Sequence, residues 1–179
     1  MATRTGDLDP GVFVYLAREK GLSVDAIERL VERESGLVGV GGTADMETLL
    51  ARALPRRSGG DEKTPAESDP AAALALALFG YAVRKAIGAF VAALGGIDLL
   101  VFTGGIGEHA APVRSLACRG LAAFGIELDE ARNARHDALI ATQTSRAAIR
   151  VVAADEERVI ARHAAALVSR SDARAELAP

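Results

Sequence analysis

Tryptophan is absent from this 179-residue chain, and aromatic residues make up only 4% of it. Any core must therefore be built from aliphatic side chains, with abundant alanine among them. The single cysteine, Cys118, excludes a disulfide within the chain. A structural zinc site gathers several Cys or His at short spacing, whereas His109, His136 and His163 lie far apart. Basic charge is not in excess: the net charge is −3, which argues against a nucleic-acid partner held by a broad basic surface. The opening MATRTGDLDPG lacks the apolar stretch of a signal peptide, so the expected compartment is the cytosol. A long uninterrupted apolar run is also missing. Residues 71–83 are almost wholly apolar and the pattern resumes to Leu94, but Arg84 and Lys85 interrupt it short of the roughly 20 residues of a span. Two cations in mid-stretch are costly in lipid, so the reading is a buried helix and no membrane.

Half of the residues are apolar and a quarter charged, the balance of one globular domain, or of a domain with an appended arm. Asp9-Pro10 and Ser23 read as starts of two helices carrying Val12, Leu16 and then Ile27, Leu30 and Val31. Leu37–Gly42 (LVGVGG) reads as an extended segment and turn, and Asp45 as the cap of a short helix through Leu49 and Leu50. Residues 55–69 (PRRSGGDEKTPAESD) have almost no apolar content and read as a solvated loop within one domain. Asp69-Pro70 opens a long helix with a wide apolar face of Leu74, Leu78, Tyr81, Ile87, Phe90, Val91 and Leu94, closed by Gly95-Gly96. Ile97–Phe102 is a continuous apolar run, expected as a strand buried on both faces. A glycine-rich turn follows, then a helix over 111–124, a strand over 149–153 and a helix over 156–168. This is an α/β pattern.

Three places carry residues suited to chemistry. In VFTGGIGEH (Val101–His109) a buried strand feeds a glycine turn and then a helix, which lets a flat or anionic ligand approach the backbone. It is neither a Walker A loop, lacking Gly-Lys-Ser/Thr, nor the dinucleotide fingerprint, since Ala110 stands where its last glycine belongs. A ligand-binding turn and a tight structural turn both remain open. Arg4, in TRTGDLDPG, has the fork to bind phosphate or carboxylate, although composition alone favours a solvated cation. Asp155-Glu156-Glu157, at a strand-to-helix junction, has hard oxygen ligands for Mg²⁺, although complementing the helix dipole is the commoner use of such residues.

Taken in order, TRTGDLDPG (3–11), ESGLVGVGGTADM (34–46), FTGGIGEHAAPVR (102–114), GIELDEARN (125–133) and ADEERVIAR (154–162) resemble acetate kinases, from about Thr3 to Val168. The resemblance implies an α/β fold, the ribonuclease-H-like domain of the superfamily of acetate and sugar kinases, actin and chaperone ATPases. It implies an enzyme that moves the γ-phosphoryl of ATP to a small carboxylate such as acetate, giving acetyl phosphate and ADP with Mg²⁺ (or Mn²⁺), in the cytoplasm and as a homodimer. By the same resemblance Arg4 stabilises the transferring phosphoryl group. Gly105, Ile106, Gly107, Glu108 and His109 hold the adenosine part of the nucleotide, Asp45, Met46 and Glu47 form a second nucleotide-contacting segment, and Glu156 is linked to the metal. Residues 1–168 correspond to the family's C-terminal nucleotide-binding domain, and 169–179 to a tail expected to fray.

The sequence departs from the family pattern in three ways. Glu47 stands where Arg is usual, a charge reversal beside a nucleotide, and His109 stands where Asn is common. The family's N-terminal domain has no counterpart in these residues, which open where the arginine motif between the domains begins. That domain carries a Mg-binding Asn, a phosphate-binding glycine loop, the Arg and Asp of the acyl site and an assisting His. The fold is thus expected to be incomplete and the chain alone to have negligible kinase activity, functioning only as part of the full enzyme or beside a separate N-terminal half. The alternative is a non-catalytic adenine-nucleotide-binding or dimerisation module. A sugar-kinase relative would share the fold but not this run of motifs.

Overall fold

The computed structural model describes residues 2–54 and 68–175, Glu156 and 168–175 by their main chain alone. Of the loop expected over 55–69, only Ser68 and Asp69 fall within that range, and residues 176–179 lie outside it.

Two short helices come first, α1 (Gly11–Arg18) and α2 (Val24–Arg33). Their starts follow the local chemistry read from the sequence. Gly11 N–H donates to Asp9 Oδ1 at 2.6 Å, and Ala26 N–H to Ser23 Oγ at 3.2 Å. The next element corrects the sequence reading: Gly36–Gly41 is a helix, α3, and not an extended segment. Leu37, Val40 and Gly41 recur at i, i+3 and i+4. With Leu37 and Gly41 buried, this helical period prevails over the β-branched composition of a run too short to decide by itself. Gly42, at φ +77°, ends it.

Helix α4 (Met46–Ala53) is capped by Asp45, which accepts from Thr48 N–H at 2.9 Å. The spine of the molecule is α5 (Pro70–Leu94). Its first turn is capped by Asp69, whose Oδ1 accepts from the N–H groups of Ala71 and Ala72 at 2.9 and 3.3 Å, and its end by Gly95 in the left-handed region. The buried side of α5 differs from the expected one. Ala72, Ala75, Leu76, Gly80 and Val91 face inward, while Leu74, Leu78, Tyr81, Phe90 and Leu94 are exposed. The small residues are chosen because neighbouring helices come close: a methyl group on Gly80 would sit 2.6 Å from Leu116 Cβ. The helix is long and apolar enough to cross a membrane by length and composition alone, and 22% of its most apolar window is buried. The helix expected to be buried is thus packed on one side only.

After α5 come β1 (Leu99–Phe102), α6 (Gly104–His109), α7 (Ala111–Cys118), a 3-10 turn (Ala122–Phe124), α8 (Glu130–Ala134), β2 (Ala148–Val151) and α9 (Glu156–Ala175). The single helix expected over 111–124 is broken at Arg119-Gly120, where Gly120 takes φ +77°. The last helix runs on to Ala175, beyond Ser169 where the tail was expected to fray.

Strands β1 and β2 pair in parallel, Leu99 opposite Ala148 and Phe102 opposite Val151. Residues 138–141 run along the outer side of β2, with Ile140 N–H donating to Ile149 O at 2.9 Å and Val151 N–H to Ala138 O at 3.1 Å. Strand β1 is buried on one face, not two. Leu100 and Phe102 pack with Ile87 and Val91 of α5, Cys118 of α7 and Ile149, whereas Leu99 and Val101 are exposed. Both helices that could cover the strand lie on the same side of it. A second core gathers Leu37, Met46, Leu49, Ala72, Ala75, Leu76, Ala110 and Val113. Helix α5 contributes to both cores, and at about 1.5 Å per residue it is long enough to do so.

The start of α5 generates a prediction. Hydrogen bonding from Arg52, foremost, and from the main chain of Ala72 and Ala71 holds the Asp69 carboxyl below its ordinary value. Arg52 Nε donates to Asp69 Oδ2 at 2.9 Å. A folded pKa below the unfolded one gives stability that is complete above the ordinary carboxylate range and is lost as pH falls through the folded value. Asp69→Asn keeps a good cap but no titrating group. Urea midpoints followed from neutral pH down to about pH 2 should show a shallower acid loss in Asp69→Asn than in the parent chain. Superimposable profiles would refute the linkage.

Candidate functional site

The glycine segment is organised around one side chain that the sequence reading did not single out. Arg114 is completely buried, and each nitrogen of its guanidinium has a partner. Nε donates to Asn133 Oδ1 at 2.7 Å, and Nη1 to the carbonyls of Gly107 and Glu108 at 2.8 and 2.9 Å. Nη2 donates to Asn133 O at 2.9 Å and meets His136 Nδ1 at 3.3 Å. His136 Nδ1 also lies 3.0 Å from Glu108 O. A guanidinium only donates and a carbonyl only accepts, so Nδ1 bonds to Arg114 when unprotonated and to Glu108 O when protonated, not to both at once. Burial pulls the Arg114 pKa below its ordinary value, and carbonyl and amide oxygens compensate the charge in place of a carboxylate. His136 reaches this position with φ +58°, the one non-glycine positive φ among the described residues. Asn133 continues the network, its Nδ2 donating to Ala111 O and to Ser115 Oγ, both at 2.9 Å. Ser115 Oγ donates in turn to Glu130 Oε2 at 2.6 Å. One turn further along α7, burial pushes the Cys118 thiol up to about 12, so it is not a nucleophile near neutral pH.

The expected turn Gly105–Glu108 is a short helix, α6, entered through Gly104 at φ +72°. Its glycines do different things. A Cβ on Gly107 would lie 3.3 Å from the main-chain carbon of Phe102, a tight contact with backbone that favours glycine there. At Gly105 a Cβ would meet nothing within 4 Å and φ is not in the left-handed region. No feature of the chain's own packing asks for glycine at Gly105. Ile106 is turned inward onto the core that holds Met46, Leu49 and Val113, which joins the two segments expected to contact nucleotide. His109 is exposed at the end of α6.

Of the other expected residues, Asp45 spends its carboxylate as the cap of α4, and hydrogen bonding from Thr48 holds it below the usual carboxylate range. Met46 is buried as a core residue, and Glu47 is exposed in the first turn of α4. The main chain of Glu156 opens α9. Asp155 caps that helix, its Oδ1 accepting from Arg158 N–H at 3.0 Å, and Ala154 N–H donates to Glu108 Oε1 at 2.8 Å. The structure thus brings the glycine segment and the acidic helix start together from 46 residues apart in sequence. Arg4 is exposed on the segment beside α2, where Thr5 N–H donates to Val31 O at 3.1 Å. No hydrogen bond among the described residues joins Arg4 to α6.

A divalent metal has little here beyond single carboxylates, since no group of three or more His, Cys, Asp or Glu gathers among the described residues. That argues against an all-protein cage among them. It fits the way Mg²⁺ binds with nucleotides, through one or two carboxylates, waters and the phosphates themselves.

This arrangement of helices and parallel strands is the fold of acetate and propionate kinases of known structure. Porphyromonas gingivalis acetate kinase superposes with a TM-score of 0.81 at 32% identity, over 94% of this chain and 40% of that one. A propionate kinase from Francisella tularensis superposes with 0.76 at 34% identity, over 88% and 38%. The model of the acetokinase family matches residues 1–162, and the chain belongs to that family. Among curated relatives, the acetate kinase of Clostridium botulinum (strain Alaska E43 / Type E3) is 40% identical over 94% of this chain and 40% of its own length. That of Rhizobium meliloti is 44% identical over 94% and 39%. The chain therefore spans about two fifths of the length of the relatives it matches.

Arg114 and Asn133 were missed as individuals because nothing in composition separates one arginine from the 21 Lys and Arg residues. The available signal was that FTGGIGEHAAPVR and GIELDEARN end on these two residues. The glycines and the arginine make separable predictions. Gly107→Ala should destabilise by about 1–3 kcal/mol through overpacking against the strand, while Gly105→Ala should be neutral or stabilising by about 0.5–1 kcal/mol. Arg114→Met, which strands several buried acceptors, should cost roughly 3 kcal/mol or more. Urea denaturation orders the three, and equal effects at Gly105 and Gly107 would contradict the packing described.

Proposed function

We propose that this chain is the nucleotide-binding part of an acetate kinase, which transfers a phosphoryl group between ATP and acetate to give acetyl phosphate and ADP. The observation that carries the reading is the hydrogen bond from Ala154 N–H to Glu108. It joins a glycine segment suited to a nucleotide with the acidic start of α9, a second segment of the same site. The open space over Gly105 supports it, because a surface with no need of glycine for its own packing suits the close approach of a flat ligand.

In this reading Gly105, Ile106, Gly107 and His109 hold the adenosine side of the nucleotide, with Ile106 anchoring the segment to the core. Asp45, Met46 and Glu47 form the facing segment, in which Asp45 and Met46 act by fixing the backbone. Arg4 neutralises charge on the phosphoryl group in flight, which suits a reaction governed by positioning and electrostatics. Glu156 is the residue linked to Mg²⁺ (or Mn²⁺), and the metal supplies further neutralisation of phosphate charge when bound. A homodimer in the cytoplasm, with a small carboxylate as acceptor and neither nucleic acid nor membrane as partner, completes the proposal. A second reading, a non-catalytic adenine-nucleotide-binding or dimerisation module, draws on Glu47, an exposed carboxylate where repulsion of phosphate is expected.

The test is trapping of acyl phosphate as hydroxamate by the purified 179-residue chain with MgATP and acetate, with Arg4→Ala as control. No product is expected from the chain alone, because charge-stabilising groups of a phosphotransferase act as a unit. Weak ADP binding is expected by titration calorimetry. Mixing with a chain that supplies the remaining part of a relative should restore turnover, and Arg4→Ala should abolish it. Product from the unaided chain that disappears in Arg4→Ala would overturn the expected inactivity. Restored turnover that is indifferent to Arg4→Ala would remove its proposed role.

A further inference from the structure

Glu108 lies inside the segment read as nucleotide-binding, yet its side chain is already engaged. Oε1 accepts from Ala154 N–H at 2.8 Å. The main chain from which it reaches is held as well, since Arg114 Nη1 donates to the carbonyls of both Gly107 and Glu108. On the donor side, Ala154 precedes the cap Asp155 and the first helical residue, Glu156. Among the described residues, this is the one hydrogen bond that ties 153–155 to an element other than α9 itself, the preceding tie being Val152 N–H to Phe102 O at 2.9 Å. The first turns of α9, residues 157–163, are exposed.

We propose that Glu108 is a positioning residue and not a nucleotide contact: by holding Ala154 it sets where Glu156 stands relative to Gly105–Gly107. The inference rests on the reading of Glu156 as the metal-linked residue. Its physical basis is that a carboxylate accepting from a main-chain N–H makes a charge-assisted bond stronger than a neutral one. It also spends its charge at the start of a long helix, where negative charge is favourable, and not against the phosphates. Arg114 makes the arrangement stiff, so glycine segment and helix start are located by one network and not independently.

Two variants of the 179-residue chain test this, read by amide hydrogen exchange and by affinity for Mn²⁺·ADP from water proton relaxation. Glu108→Gln retains the Oε1 acceptor and loses the charge; Glu108→Ala loses both. The Ala154 amide should exchange about tenfold faster or more in Glu108→Ala and by a clearly smaller factor in Glu108→Gln, whose neutral acceptor makes a weaker bond, with Ile140 and Ile149 unchanged in each as markers of an intact fold. Mn²⁺·ADP should bind about tenfold more weakly to Glu108→Ala, as for removal of an outer-shell partner, and with nearly parent affinity to Glu108→Gln. Unchanged Ala154 exchange in Glu108→Ala would overturn the anchor. Equal loss of affinity in both variants, with Ala154 still protected in Glu108→Gln, would make the carboxylate itself a ligand contact and also overturn the proposal. A parent chain that binds no Mn²⁺·ADP would count against the nucleotide reading, and the exchange pattern alone would then decide for or against the anchor.

Discussion

A buried guanidinium is expensive to place, because removing an ion from water costs several kcal/mol unless its partners replace the lost solvent. Arg114 meets that requirement without a carboxylate. Its donors end on Asn133, Gly107, Glu108 and His136, which belong to α6, to α8 and to the residues just after α8. Once the charge is inside, none of these groups can move away without stranding it, so the arginine converts a loose set of short helices into one unit. Elements such as α6 and α8, with six and five residues, are too short to be stable as isolated helices. Their geometry comes from this network and from the core beneath it.

That dependence explains what could be read from the sequence. Helix starts were legible because capping is local: Asp9, Ser23, Asp45 and Asp69 each accept a main-chain N–H within three residues. The two strands and the long helix before them were legible from apolar runs and glycine punctuation. What failed depends on distant residues. Leu37–Gly42 was assigned by β-branching, whereas burial of Leu37 and Gly41 against other helices made it helical. The inward side of α5 was assigned to its largest apolar residues, whereas close helix approach selected Ala72, Ala75 and Gly80. Strand β1 was expected to be covered on both faces, and the position of its covering helices is not written in the strand itself.

The candidate site divides in the same way. The resemblance marked the segments, but it could not say which side chains look outward. Met46 and Ile106 serve the core, Asp45 serves a helix cap, and Glu108 reaches across to Ala154. The two residues that lock the segment, Arg114 and Asn133, have no local signature, since a buried arginine and a surface arginine are the same letter. A motif therefore locates a site more reliably than it assigns roles inside it.

The contrast between Arg4 and Arg114 follows from what each charge is for. Arg114 is buried and every nitrogen of its guanidinium donates to an oxygen of the chain, so it fixes geometry and is not presented to a ligand. Arg4 is exposed, and among the described residues no hydrogen bond or ion pair engages its guanidinium. A group that stabilises charge arising only during phosphoryl transfer must not be neutralised beforehand, because an interaction equally strong in the ground state lowers no barrier. The two arginines thus mark a division of labour consistent with the proposed chemistry. The segment of α6 and α8 is organised from within by a spent charge, whereas Arg4, beside α2, leaves its charge unspent.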